Sequence, residues 1–365
     1  MRSGMNPIIR ILAFFSSLLA ASFSSAADYP APTEGDFTVR DFKFTSGETL
    51  PELHLHYRTV GKSEKDAQGG TTNAVLIMHG TTGSGAQFVP RPEFADQLFA
   101  KDQPLDATKF FIILPDGIGH GKSSKPSDGM RAKFPHYGYL DMVEAQYRLL
   151  TEGLGVNHAR LVMGTSMGGM HTWLWGELHS DFMDALMPLA SLPTQISGRN
   201  RAWRRMIIDA IRNDPAWKGG EYKTQPASLQ TAAVMLWFMS SNPVLRQKDA
   251  PTLAKTDEVL DKFVDGIVKS DDANNVLYAL EASRDYDPGP NLEKIRAPLL
   301  AINSADDLIN PPELGILERE IKRVPHGRAI VIPTSDKTRG HGSHTIAALW
   351  KDQLVELLKE TEQGH

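Results

Sequence analysis

Ser166, Asp306 and His341 are the residues of this chain whose types and order point to chemistry. The serine lies in Gly164-Thr165-Ser166-Met167-Gly168, a G-x-S-x-G segment that interrupts the apolar run Leu161-Val162-Met163. A serine on a sharp strand-to-helix turn needs small residues on both sides, because larger ones would clash there. A hydroxyl is a weak nucleophile at its own pKa, so an imidazole must take its proton during attack. The imidazole in turn needs a carboxylate to fix its tautomer and stabilise its cation. An acid after one late strand and a histidine after the last strand supply both, in the order Ser, Asp, His. The helix that starts just after Ser166 aims its free N–H groups at the place where an oxyanion would form, which nominates the Met167 N–H.

Two of these choices have a close competitor. Asp306 is taken as the acid over Asp307, because Asp307 runs directly into Leu308-Ile309, which should return to packing. His341 is taken as the base over His344, which should begin the final helix.

The elements that must position these groups can be read from the apolar pattern. Residues 37–44 and 53–57 alternate and are joined through Ser46-Gly47, as an antiparallel opening pair. Continuous apolar runs at 74–78, 110–115, 161–164, 185–190 and 298–303 suit strands buried on both faces, with a last strand at 328–333. Leu140, Val143, Tyr147, Leu150 and Leu154 recur at helical spacing, as do Ile346, Leu349, Trp350, Leu354, Leu357 and Leu358 near the end. From 192 to 290 the pattern is helical throughout. The fold class is therefore α/β: a mostly parallel sheet flanked by helices, with 28–191 and 291–365 as its core and 192–290 as an inserted helical cap.

Residues 1–27 carry Arg2 and Arg10, an apolar stretch over 11–21 and the small residues Ser24-Ser25-Ala26-Ala27. They read as a cleavable signal peptide whose apolar region is too short to span a bilayer. The expected location is periplasmic or secreted, with no stable membrane span after cleavage. The absence of cysteine removes disulfides, thiolate metal sites and cysteine nucleophiles together. No basic stripe suggests a nucleic-acid partner. His54 and His56 share a strand face without a third ligand nearby, so they read as a solvated face, and neither a metal nor a cofactor is expected. Gly117 to Ser124 has a P-loop look, but Asp116 stands where its first glycine would have to be. Arg199, Arg201, Arg204 and Arg205 read as a solvated helix face, and Trp203, Trp217, Trp237 and Phe238 as core.

These segments resemble the α/β-hydrolase superfamily, and within it the homoserine O-acetyltransferase family. The likeness is carried by Thr45-Ser46-Gly47-Glu48-Thr49-Leu50, Asp141-Met142-Val143-Glu144-Ala145-Gln146, Ser166-Met167-Gly168-Gly169-Met170 and Asp214-Pro215-Ala216-Trp217. It implies Ser166 as nucleophile, Asp306 as orienting acid and His341 as base. Hydrolases of this architecture place a second oxyanion donor in the loop after the strand that precedes the first core helix. Here that loop is His79-Gly80-Thr81-Thr82-Gly83, and the donor is the Thr81 N–H.

An exported enzyme would meet little acyl-CoA, so the expected reaction is hydrolysis of a carboxylic ester through an acyl-enzyme. The substrate class is a small-molecule ester or acyl compound. Acyl transfer of the homoserine O-acetyltransferase type is the alternative, a non-catalytic binding protein on the same fold a second one, and a homodimer stays open.

Overall fold

Strands that are apolar at every position require a sheet covered on both faces. The computed structural model describes residues 28–89 and 91–362, so the leader expected over 1–27 lies outside the described residues. In chain order the strands are β1 (Thr33–Lys43), β2 (Thr49–Val60), β3 (Ala74–Met78), β4 (Phe111–Pro115), β5 (Leu161–Thr165), β6 (Leu186–Leu189), β7 (Leu299–Ser304) and β8 (Gly327–Ile332). They form one sheet in the order β1-β2-β4-β3-β5-β6-β7-β8. Pairing is antiparallel at β1–β2 and β2–β4 and parallel from β4 across to β8.

Every residue of β3 to β7 is buried, and the pleat divides them between two layers. Leu76 and Met78 face Met142, Val162 and Trp173, whereas Val75 and Ile77 face Phe94, Met163 and Trp350. The first layer contains α1 (Tyr139–Arg148) and α2 (Met167–Leu178). Helix α2 is buried from Met167 through Gly176, as a helix that is apolar on all sides must be.

Between β6 and β7 the chain forms α3 (Gly198–Asn213), α4 (Ser228–Ser240), α5 (Pro243–Asp249), α6 (Leu253–Ser270) and α7 (Ala273–Ala282). This helical insertion has an apolar cluster of its own, with Trp203, Ile207, Leu229, Leu277 and Leu280. After β7 come α8 (Ile316–Glu320) and, beyond β8, α9 (Lys351–Glu362). Ile346 and Leu349 precede α9 in short turns rather than belonging to it.

Three side chains depart from the sequence reading. Arg204 is buried, not solvated: its guanidinium lies 4.9 Å from the Trp203 ring and donates to Asn200 and Ser283. Phe238, expected in the core, is 61% exposed on α4. His56 is buried, with its Nδ1 2.7 Å from the β1 carboxylate of Asp36, while its neighbour His54 stays exposed.

Near the end of α2, Glu177 has a buried oxygen, Oε1, without a hydrogen-bond partner. Burial pushes its pKa up from 4.5 to about 8. The folded state thus keeps a proton that the unfolded state releases above 4.5, so this group costs stability increasingly as pH rises from 4.5 to about 8. Glu177→Gln, neutral in both states, should raise the melting temperature at pH 8 and leave it nearly unchanged at pH 4.5. Thermal melts of both proteins at those two values check it; an equal shift at both rules out ionisation as the cause.

Candidate active site

Strand β5 stops at Thr165 and α2 starts at Met167, so Ser166 carries the whole change of direction, at φ 56° and ψ −110°. A turn this tight brings Gly164 against Gly168. A Cβ on Gly164 would stand 2.3 Å from the Gly168 carbonyl carbon, and one on Gly168 would stand 2.1 Å from the Met78 carbonyl oxygen. The glycines are therefore demanded by contact with backbone that cannot move aside. The Ser166 N–H donates to the Leu189 carbonyl at 2.9 Å, which ties the turn to β6.

The loop after β8 returns His341 to this turn. Its Nε2 lies 2.8 Å from Ser166 Oγ and its Nδ1 lies 2.8 Å from Asp307 Oδ2. An ionised carboxylate only accepts, so Nδ1 carries the proton and Nε2 is left to accept from the serine hydroxyl. Asp307 is 1% exposed and His341 7%, so both bonds lie away from bulk water. Asp307 follows β7 in a turn where its Oδ1 accepts the N–H groups of Ile309 at 2.8 Å and Asn310 at 3.2 Å. Burial works against its charge, but the His341 imidazole and those two N–H groups hold its pKa below the ordinary carboxylate value.

The geometry corrects the expectation for the acid: Asp307, and not Asp306, meets His341. The sequence argument took the packing of Leu308-Ile309 as a reason to set Asp307 aside. Ile309 is indeed buried, and a residue adjoining it is carried inward, which is what an acid that orients an imidazole needs. Asp306 turns to the other side, where its partners are Ser304, Gly340 and Asn242. His344 is buried 5.3 Å from the His341 ring, with Nδ1 unpartnered, and burial pulls its pKa down to about 3. It does not reach Ser166.

The loop that carries Thr81 lies directly on the serine, since a Cβ on Gly80 would touch the Ser166 Cβ at 3.4 Å. Among the described residues, neither the Thr81 nor the Met167 N–H has an intramolecular acceptor, whereas the next N–H in α2, that of Gly168, is bound to His79 O. Two histidines that the sequence reading did not assign fix this loop. His79 donates from Nδ1 to the Gly80 carbonyl at 2.8 Å and accepts the Gly117 N–H at Nε2, which leaves it neutral, with a pKa lowered to about 4 by burial. His120, from the Gly117–Ser124 loop, places Nε2 2.7 Å from the Thr81 carbonyl. No local signal gives these pairings, because His79 and His120 come from loops after different strands.

A cleft of 590 Å³ opens beside Thr81, between this loop and the helical insertion; Gln87, Arg91, His120, Asp271 and Leu280 line it. A second cavity, of 480 Å³, lies along Asp306 and Asp307 under the start of α3. Among the described residues no group of His, Asp and Glu could hold a metal ion.

A family described as the alpha/beta hydrolase fold matches residues 73–336. A probable acyltransferase of Methanothermobacter thermautotrophicus is 31% identical over 280 residues, covering 76% of this chain and 84% of its own. The chain belongs to the α/β-hydrolase family, in its homoserine O-acetyltransferase-like branch. The homoserine O-acetyltransferase of Trichormus variabilis, another relative of this α/β-hydrolase, is 29% identical over 299 residues, covering 74% of this chain and 79% of its own. Among solved structures, homoserine O-acetyltransferase from Bacillus anthracis superposes with a TM-score of 0.78 at 21% identity, over 90% of this chain and 98% of that one. Esterase E22 gives the same TM-score at 18% identity, over 90% and 100%. The protein is thus an enzyme of hydrolase or acyltransferase type.

Proposed function

We propose that Ser166, His341 and Asp307 serve as nucleophile, base and orienting acid of an enzyme that transfers an acyl group to the hydroxyl of a small acceptor. The observation that carries this reading is the unbroken series of 2.8 Å contacts from Ser166 through His341 to Asp307. Ser166 Oγ attacks the acyl carbonyl as its proton passes to His341 Nε2. The Met167 and Thr81 N–H groups receive the developing oxyanion, and the same proton then leaves with the departing alcohol or thiol. In the second half the acceptor hydroxyl gives its proton to His341 and attacks the acyl carbonyl, and the bond from the acyl group to Ser166 Oγ breaks as His341 Nε2 returns that proton to Oγ.

The relatives named acyltransferase weigh toward an alcohol as acceptor and set the expectation of hydrolysis second. Hydrolysis keeps one specific argument, the leader-like residues 1–27, because an exported enzyme would have water at hand and little acyl-CoA. Acetyl-CoA or p-nitrophenyl acetate, supplied with and without homoserine or serine, separates the two. Transfer predicts O-acetyl acceptor as the main product. Release of free acetate at a rate indifferent to the acceptor would identify a hydrolase.

A further inference from the structure

Asp306 joins two parts of the molecule that are far apart in sequence. Its Oδ2 accepts the Gly340 N–H at 3.0 Å and also the side-chain amide of Asn242, while Oδ1 accepts the Ser304 hydroxyl. Gly340 immediately precedes His341. Asn242 stands between α4 and α5, and its own Oδ1 caps α5 by accepting the Leu245 N–H at 3.0 Å. The segments also touch: a Cβ on Gly340, which is at φ 59°, would lie 3.2 Å from the Asn242 nitrogen and 3.3 Å from the Asp306 carbonyl oxygen. One carboxylate oxygen therefore holds both the backbone next to His341 and a side chain of the helical insertion.

We infer that Asp306 is a positioning residue that couples the insertion to His341, so that the α4–α5 junction sets the placement of the imidazole that takes the Ser166 proton. The inference rests on the reading of Ser166 as nucleophile and His341 as base. Gly340 and Asn242 both offer N–H groups to the same oxygen, so position 306 must present an acceptor there, whereas the Ser304 hydroxyl at Oδ1 can accept as well as donate. An amide at 306 can keep its oxygen at the shared position and preserve both contacts, and alanine removes both. A carboxylate at 242 would face the carboxylate of Asp306. Alanine at 306 removes that opposition, and an acid at 242 still caps α5, where Asp serves as well as Asn.

The test compares Asp306→Ala, Asn242→Asp, their combination and the conservative Asp306→Asn with the unsubstituted protein. The first readout is the rate at which a small fluorophosphonate labels Ser166, normalised to folded protein. The second is kcat and KM for p-nitrophenyl acetate. Asp306→Ala and Asn242→Asp should each label about 10- to 100-fold more slowly, with the loss in kcat rather than KM, while Asp306→Asn should keep most of the rate. The combination should be no slower than Asp306→Ala alone, since both substitutions act through one contact. A merely structural role would change the folded fraction and leave the normalised rate alone. Asp306→Ala or Asn242→Asp labelling at the original rate overturns the coupling, as does a folded combined variant whose loss is the product of the two single losses. If Asp306→Ala is too unstable to assay, Asn242→Asp, which leaves the α5 cap in place, decides alone. Failure of the unsubstituted protein to label at Ser166 overturns the underlying reading instead, and so is distinguishable.

Discussion

Ser166→Ala should reduce turnover of an activated ester by about 10⁴- to 10⁶-fold and abolish the mass shift that a fluorophosphonate adds to the protein. The size follows from what the substitution removes. Oγ is the atom that would form the acyl bond and the one donor His341 Nε2 faces, so its loss leaves only binding and oxyanion stabilisation to act on the substrate. The fold should survive, because Ser166 is held by its backbone: its N–H is bound to Leu189 and its carbonyl accepts the Met170 N–H. Alanine keeps the Cβ and with it the cost of the φ 56° conformation. Ser166→Gly removes that cost too, and should melt higher than Ser166→Ala by the equivalent of about 1 kcal/mol. Intact-mass spectra after labelling, ester kinetics and thermal melts of both variants test the pair. Undiminished labelling of Ser166→Ala would rule the residue out as nucleophile, and a glycine variant that melts lower would show that the turn is not strained.

How far this site can be read from the sequence depends on how local its determinants are. The elbow is legible because Gly164 and Gly168 answer a clash within a few residues of the serine. Strands β3 to β7 are legible because burial on both faces leaves no polar position to interrupt an apolar run. The choice between Asp306 and Asp307 is not local. Adjacent residues in a turn point opposite ways, and what settles the direction is a set of partners from two distant segments: His341 on one side, Asn242 and the neighbouring Gly340 on the other. His79 and His120 escape for the same reason, since the Gly117 N–H that His79 accepts and the Thr81 carbonyl that His120 meets come within reach only when β3 and β4 lie side by side. Arg204 reads as surface because charge is the only feature the sequence displays, while its Trp203 and Ser283 contacts arise from the packing of α3.

Asp307→Asn should lower kcat for the same ester by about 10⁴-fold, far more than Asp306→Asn, although the two carboxylates are neighbours. The argument turns on which oxygen has which partners. Oδ1 of Asp307 is claimed by the Ile309 and Asn310 N–H groups, and Oδ2 by His341 Nδ1 and the Asn310 side-chain amide. An asparagine has one oxygen to offer. If that oxygen stays with the two backbone donors, the amide N–H₂ faces His341, and the imidazole must present an unprotonated Nδ1 to it. The proton then moves to Nε2, where it points at Ser166, and the base can no longer accept from the hydroxyl it is meant to deprotonate. Flipping the amide restores the tautomer only by turning an N–H₂ against two backbone donors in a buried turn, which costs roughly 1–3 kcal/mol for each donor left unpaired. Either way the catalytic tautomer becomes a minor species, with KM little affected because Asp307 touches no substrate in this reading. Asp306→Asn leaves the 2.8 Å bond between His341 and Asp307 in place and can keep an oxygen toward the Gly340 N–H in the loop that carries the ring. Side-by-side kcat values for the two variants therefore identify the acid. A collapse in Asp306→Asn with near-normal turnover in Asp307→Asn would reverse the assignment made from the geometry.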